Sequence, residues 1–106
     1  MEIRRGDIVL VRLDPVKGFE QGKTRPAVVI QHDSLNKYSA TTIIVPITST
    51  VYLKEYPMHV SYNKKTIKVE HIRSIDKSRI VKKQGTVSPE ILMRIGRALQ
   101  CVTDFY

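Results

Sequence analysis

Short apolar segments, separated by clusters of polar turn residues, recur along most of the chain. β-Branched residues fill most of these segments, as is typical of small mainly-β folds. The spacing predicts about five strands, at residues 7–13, 26–31, 42–48, 58–62 and 66–75, with Ile80 and Val81 as a short additional edge. Asn63 in YNKKT predicts a hairpin turn between the last two strands, and the polar segment HDSLNKYS predicts a short helical turn.

The last segment of the chain has a helical rather than an alternating period. The segment SPEILMRIGRALQCV predicts a helix with one apolar face. The residues that point away from this face are Met93, Arg97 and Gln100. The apolar face carries Ile91, Ile95, Ala98, Leu99 and Val102. Ser88 before Pro89 is a favourable start for this helix. We therefore expect a mainly-β barrel that is closed on one side by a C-terminal amphipathic helix.

Composition narrows the classes of function. With 106 residues, 42% hydrophobic and 26% charged, the chain is expected to fold as one domain over residues 1–106. Its 18 Lys and Arg residues against 10 Asp and Glu residues give a net charge of +8, which favours a polyanionic partner such as nucleic acid. Cys101 is the single cysteine, which excludes an internal disulfide. The N-terminal apolar run is too short for a signal sequence or a spanning helix, so we expect a cytoplasmic protein.

The familiar catalytic motifs are absent from the sequence. It contains no phosphate-binding glycine motif, no serine elbow and no paired cysteines, and its 3 histidines are too scattered to suggest a metal site. We therefore expect neither a metal ion nor another cofactor.

Two polar residues at predicted strand ends are candidates for phosphate chemistry. Arg25 directly precedes Pro26 and an apolar run, and Thr48 closes the apolar run IVPIT. An arginine fork can hold a phosphate with two hydrogen bonds, and a threonine hydroxyl can add another. In RNA the 2′-OH supplies the nucleophile, so positioning and charge suffice for cleavage. The alternative is that Arg25 is simply a solvated residue at the end of a strand.

The sequence as a whole resembles the MazF/PemK toxin endoribonucleases of bacterial toxin–antitoxin modules. Three segments carry the resemblance, in the order RRGDIVLVRLDPVKGFEQGKTRPAVVIQHD, IIVPITS and HIRSIDKSRI. The resemblance implies an SH3-like barrel with a C-terminal helix, a homodimer, and an acidic cognate antitoxin. It also implies metal-independent, sequence-specific cleavage of single-stranded RNA, including mRNA, to 2′,3′-cyclic phosphate and 5′-OH ends. By the same resemblance, Arg25 and Thr48 are the catalytic pair.

The resemblance also suggests residues that bind the RNA. Glu20 and Gln21 would line the RNA groove and take part in proton transfer, unless they form an ordinary solvated loop. His71 stands where many relatives have a base-contacting glutamine, and it either contacts a base or packs as a structural residue. Phe19 and Tyr56 lie in predicted loops, where they either stack on bases or pack within the protein.

Two other functions stay open at this stage. The same barrel resembles the CcdB toxins, which inhibit gyrase without cutting nucleic acid, and such a toxin has no need for Arg25 and Thr48 together. An RNA-binding module without catalytic activity would keep the basic surface and lack turnover only.

Overall fold

The computed structural model describes residues 2–12, 24–52 and 56–104. Within these residues the chain forms seven strands and two α-helices. The strands are β1 (Asp7–Arg12), β2 (Thr24–Val29), β3 (Thr41–Thr48), β4 (His59–Tyr62), β5 (Lys65–Lys68), β6 (Arg73–Asp76) and β7 (Ile80–Thr86), and the helices are α1 (Asp33–Asn36) and α2 (Pro89–Val102).

All strand pairs are antiparallel, and β3 is the strand with the most neighbours. The sheet runs in the order β4-β5-β3-β2-β1-β7, and β6 also pairs with β3. Over the described residues the pairings do not close the sheet between β4 and β7, although a barrel-like fold is compatible with this order. The predicted mainly-β fold with a C-terminal helix is confirmed.

The prediction of one long strand over residues 66–75 was wrong. The segment forms β5 and β6, which pair with different parts of β3: Thr66 lies opposite Thr48, and Ile75 lies opposite Thr42. A 3₁₀ turn at Val69–His71 separates them. The N–H of Val69 donates to the carbonyl of Met58 at 3.1 Å instead of to β3, and the Val69 side chain is fully buried. Because the N–H of Val69 is bonded to Met58 and not to β3, the predicted long strand is interrupted after Lys68.

The last strand is longer than the predicted edge at Ile80 and Val81. Strand β7 pairs along β1, with Thr86 opposite Asp7, and bulges interrupt the register at two points. Its residues are mostly exposed, and Lys83 forms an ion pair of 3.2 Å with the buried Asp7 carboxylate. Polar side chains and lysines are usual on edge strands, which explains why hydrophobic periodicity missed this one.

The core consists of two groups of apolar side chains. Helix α2 covers the first group through Ile95 and Ala98, whereas Met93 is exposed, as the helical period predicts. The second group is centred on β1, β2 and β3 and contains Val9, Val11, Ala27, Val29, Ile44 and Ile75. The hydroxyl of Ser88 accepts the N–H of Ile91 at 3.2 Å, so Ser88 caps α2 as expected. Neither described helix is long and apolar enough to cross a membrane.

A buried polar network joins α1 to β3. Asn36 accepts hydrogen bonds from the Thr42 hydroxyl at 2.7 Å and from the Gln31 side chain at 3.1 Å. It also donates to the Gln31 carbonyl at 2.9 Å. The predicted helical turn is confirmed, but its N-cap is His32, whose ring accepts the N–H of Ser34. The network fixes the start of β3 against the chain that leaves β2.

We expect Asn36→Ala to destabilise the fold. It removes the hydrogen bonds that Asn36 makes with the Thr42 hydroxyl and the Gln31 carbonyl, and each buried polar group left without a partner costs roughly 1–3 kcal/mol. Urea unfolding of Asn36→Ala and of Lys37→Ala, an exposed neighbour, would measure the effect. Lys37→Ala should stay within about 0.5 kcal/mol of the wild type. Equal stability of the two variants would contradict a structural role for the network.

Candidate functional site

The ends of β2 and β3 bring Arg25 and Thr48 together. In the ladder between these strands Ala27 lies opposite Pro46 and Val28 lies opposite Val45. Continuing this antiparallel register past Ala27 places Arg25 beside Thr48. Two residues that are far apart in the sequence therefore meet because of strand register.

Both residues line one cleft of about 280 Å³. The other lining residues are Pro26, Ile47, Ser49 and Lys65. Ile47 is only 4% exposed and packs in the core, so the cleft rests on a well-packed strand. Thr48, the next residue along β3, is half-buried, as the alternation of side chains in a strand requires. The hydroxyl of Thr48 is thus held at the edge of the core.

The polar groups of this cleft are available to a ligand. The Arg25 side chain is exposed, and its guanidinium has no hydrogen-bond or ion-pair partner within residues 2–12, 24–52 and 56–104. Among the described residues, the Thr48 hydroxyl is bonded only to Thr50: it accepts the N–H of Thr50 at 3.3 Å and donates to the Thr50 hydroxyl at 3.3 Å. These distances lie beyond the usual range for strong hydrogen bonds. A cation and a weakly bonded hydroxyl suit an anion such as a phosphate.

Across the described part of the chain, no group of three or more His, Cys, Asp or Glu side chains is arranged to hold a metal.

The predicted RNA-binding residues fall in different places. Phe19, Glu20 and Gln21 lie outside the described residues. His71 is exposed on the 3₁₀ turn between β5 and β6, rather than on the predicted strand, and it does not line the cleft of Arg25. Tyr56 is 43% exposed and lines a second cleft.

This second cleft has a volume of about 550 Å³ and lies between β4 and α2. The Tyr52 and Tyr56 rings pack on His59, with centroid distances of 4.5 and 5.1 Å. Thr66 lines this cleft, whereas the preceding residue, Lys65, lines the cleft of Arg25. The contact with His59 therefore supports the alternative that Tyr56 packs within the protein.

His59 and Glu70 form a partly buried pair that the sequence analysis missed. The Nε2 atom of His59 lies 2.7 Å from a Glu70 carboxylate oxygen, and the His59 side chain is 10% exposed. The hairpin of β4 and β5 brings them together, and the sequence carries no signal for the pair before that hairpin is placed. Burial tends to raise the pKa of Glu70, but hydrogen bonds from His59 and the backbone, with the charges of His59 and Lys68, hold this pKa below its usual value.

We expect the stabilisation from Glu70 to disappear in acid. A carboxyl group whose pKa is lower in the folded state stabilises the fold above its unfolded pKa, near 4.5, and loses this contribution as the pH falls through the folded pKa. The difference in unfolding free energy between wild type and Glu70→Gln should therefore be largest above about pH 5 and shrink below it. Urea unfolding at several pH values would measure it, and a constant difference would contradict the ion-pair assignment.

Comparison with known proteins identifies the family. Residues 4–103 match the sequence model of a family described as PemK-like, MazF-like toxin of type II toxin–antitoxin system. The match covers nearly the whole chain, so the chain belongs to this family.

Solved structures share the fold. A MazE–MazF complex from Deinococcus radiodurans superposes with a TM-score of 0.84 and 24% identity, over 100% of this chain and 99% of that chain. An endoribonuclease in complex with its cognate antitoxin, from a mycobacterial species, gives a TM-score of 0.81 and 17% identity, over 98% and 97%. The toxin MazF-mt6 of Mycobacterium tuberculosis gives 0.75 and 16% identity, over 94% and 98%. At these identities the likeness establishes the fold.

Proposed function

We propose that this member of the PemK-like, MazF-like toxin family is a metal-independent endoribonuclease that cuts single-stranded RNA at specific sequences. Its substrate class includes mRNA, and cleavage inhibits translation and growth. The observation that supports this proposal most strongly is the meeting of Arg25 and Thr48 in one cleft, where the guanidinium has no partner among the described residues and the hydroxyl is weakly bonded. Two mycobacterial proteins with this fold are endoribonucleases.

The reaction follows from the chemistry of RNA. The 2′ oxygen forms a bond to the adjacent phosphorus while the bond from phosphorus to the 5′ oxygen breaks. The 2′-OH releases a proton and the leaving 5′ oxygen takes one, which yields a 2′,3′-cyclic phosphate and a 5′-OH. Negative charge grows on the phosphoryl oxygens in the five-coordinate transition state. Preorganised donors at those oxygens stabilise the transition state more than the ground state.

Arg25 and Thr48 donate different kinds of hydrogen bond to these phosphoryl oxygens. The planar guanidinium of Arg25 can donate two parallel hydrogen bonds to the non-bridging oxygens. Thr48 contributes one directional hydroxyl from a position fixed by β3. Glu20, which precedes Arg25 by five residues in the sequence, is the proposed proton acceptor, and Gln21 is proposed to contact the RNA with it.

Aromatic and imidazole groups are the candidates for base recognition. Single-stranded RNA is usually recognised by stacking on aromatic rings and by hydrogen bonds to exposed base edges. Tyr56 and Phe19 are proposed to stack, and His71 is proposed to contact a base edge. The exposure of Tyr56 and His71 supports these roles, because both side chains can be reached from solvent.

The alternative of a gyrase inhibitor is less well supported. The matching family model is that of PemK-like, MazF-like toxins. An inhibitor that acts by binding a protein has no use for Arg25 and Thr48 together in one cleft. A non-catalytic RNA-binding module differs only in turnover, which the cleavage experiment decides.

We expect Arg25→Ala and Thr48→Ala each to reduce cleavage by roughly 10² to 10³, the usual loss when one charge-stabilising donor is removed. Cleavage of a long defined RNA, with the cut sites mapped by primer extension, would measure it. Both side chains lie outside the core, so both variants should fold. Arg4→Ala and Thr24→Ala are matched controls, because these exposed residues do not line the cleft.

Wild-type cleavage should also continue in EDTA and leave cyclic phosphate ends. An RNA with hydrogen in place of the 2′-OH at the cut site should resist cleavage, because its nucleophile is missing. Equal cutting of the deoxy-substituted and the unmodified strands would show that the proposed mechanism is wrong.

The proposed partners are a second copy of this chain and an acidic, partly disordered antitoxin. The net charge of +8 favours an acidic partner, and a disordered segment can cover a basic groove and fold on binding. In sedimentation equilibrium we expect twice the monomer mass of 12.2 kDa at tens of micromolar. We also expect a small acidic protein to be encoded beside this gene and to form a heavier, inactive complex with this chain. A monomer alone, or full cleavage in the presence of that protein, would contradict the respective partner.

A further inference from the structure

Lys65 enters the cleft of Arg25 and Thr48 from a third strand. Asn63 and Lys64 form the two-residue turn between β4 and β5, with positive φ values of 45° and 60°. Two successive residues with positive φ are characteristic of the type I′ hairpin turn, whose geometry matches the twist of the flanking strands. The turn places Lys65 opposite Tyr62, as the first residue of β5. The position of its backbone is therefore set by a tight hairpin.

The cleft is flanked by a cation on each side of β3. Strand β3 lies between β2, which carries Arg25, and β5, which carries Lys65. Thr66, the residue after Lys65, pairs directly with Thr48. Lys65, Arg25 and Thr48 all line the same cleft of about 280 Å³.

Neither cation is neutralised by the part of the protein that the structure describes. Lys65, like Arg25, has no carboxylate or hydrogen-bond partner for its charged group within residues 2–12, 24–52 and 56–104. Other cations do have partners: Lys83 is paired with Asp7, and Arg94 is paired with Glu90. Two like charges that share a small cleft repel each other, and an anion bound between them removes this cost.

We infer that Lys65 is a third catalytic group, which holds the scissile phosphate together with Arg25 and Thr48. This inference rests on the proposed ribonuclease function and adds a residue to it. Lys65 acts through its charge, whereas Arg25 supplies directional hydrogen bonds. No proton moves to or from Lys65.

Kinetic measurements can distinguish a cation that binds the scissile phosphate from a cation that binds a neighbouring phosphate. The scissile phosphate gains negative charge as the 2′ oxygen attacks, while the flanking phosphates keep the same charge. A cation at the scissile phosphate therefore stabilises the transition state more than the ground state and acts on kcat. A cation at a flanking phosphate stabilises both states equally and acts on KM alone.

Lys65→Gln and Lys64→Asn form a matched pair of variants for the test. Both remove one lysine charge from the same hairpin, and asparagine tolerates the positive φ of residue 64. Lys64 does not line the cleft. With a short RNA that carries one mapped cut site, we expect Lys65→Gln to lower kcat by about 10- to 100-fold, somewhat less than the usual loss of a donor because Lys65 is exposed. Its KM should change less than about threefold.

Two further variants complete the design. Lys65→Arg should recover most of the lost rate, because it restores the charge, and Lys65→Met should behave like Lys65→Gln. Lys64→Asn should cleave like the wild type. Circular dichroism would confirm that all four variants keep the fold, as expected for exposed positions.

The possible outcomes separate this inference from the proposed function. If the wild type cuts RNA and Lys65→Gln has an unchanged kcat, or only a raised KM, the inference is wrong and the ribonuclease function stands. If Lys64→Asn loses as much activity as Lys65→Gln, the effect is one of general charge and the inference is again wrong. If the wild type cuts no RNA, the proposed function and the inference both fail.

Discussion

The backbone pairing of β3 with three other strands is the interaction on which the rest of the structure depends. Strand β3 is bonded to β2 on one side, and to β5 and β6 in succession on the other. It therefore joins the two groups of core residues, with Ile44 in one and Ile47 in the other. Its start is held by the buried Asn36 network, and its end carries Thr48. A single strand thus connects the core to the candidate site.

Much of the fold can be predicted from local sequence pattern. The apolar runs of β1, β2 and β3 and the helical face of α2 are strong signals, because burial on one face imposes a period of two or 3.6 residues. The break between β5 and β6 carries no such signal, because it depends on a backbone contact between Val69 and Met58. Strand β7 was underestimated, because its exposed face is filled with polar residues.

The candidate site was predictable in part. Arg25 and Thr48 each stand beside an apolar run, and the family resemblance names both, but their proximity is a matter of strand register. Neither the sequence pattern nor the family resemblance identifies Lys65 as a site residue, because lysines next to a turn are expected on any exposed hairpin. Only the placement of β5 against β3 brings it to the cleft. The distribution of charge supports the same conclusion, since Asp7 and Glu90 are each paired with a cation outside the cleft.

The same alternation of side chains that builds the core also fixes the site. Ile47 is buried and Thr48, the next residue, faces the cleft, so a shift of β3 by one residue relative to its neighbours would exchange their positions. The hydroxyl would then be buried without its present partners, and an isoleucine would replace it at the cleft. Such a shift costs burial at every residue of the strand, so the register is strongly determined. The core thereby holds the position of Thr48 relative to Arg25 and Lys65, although none of these three side chains contributes to the core itself.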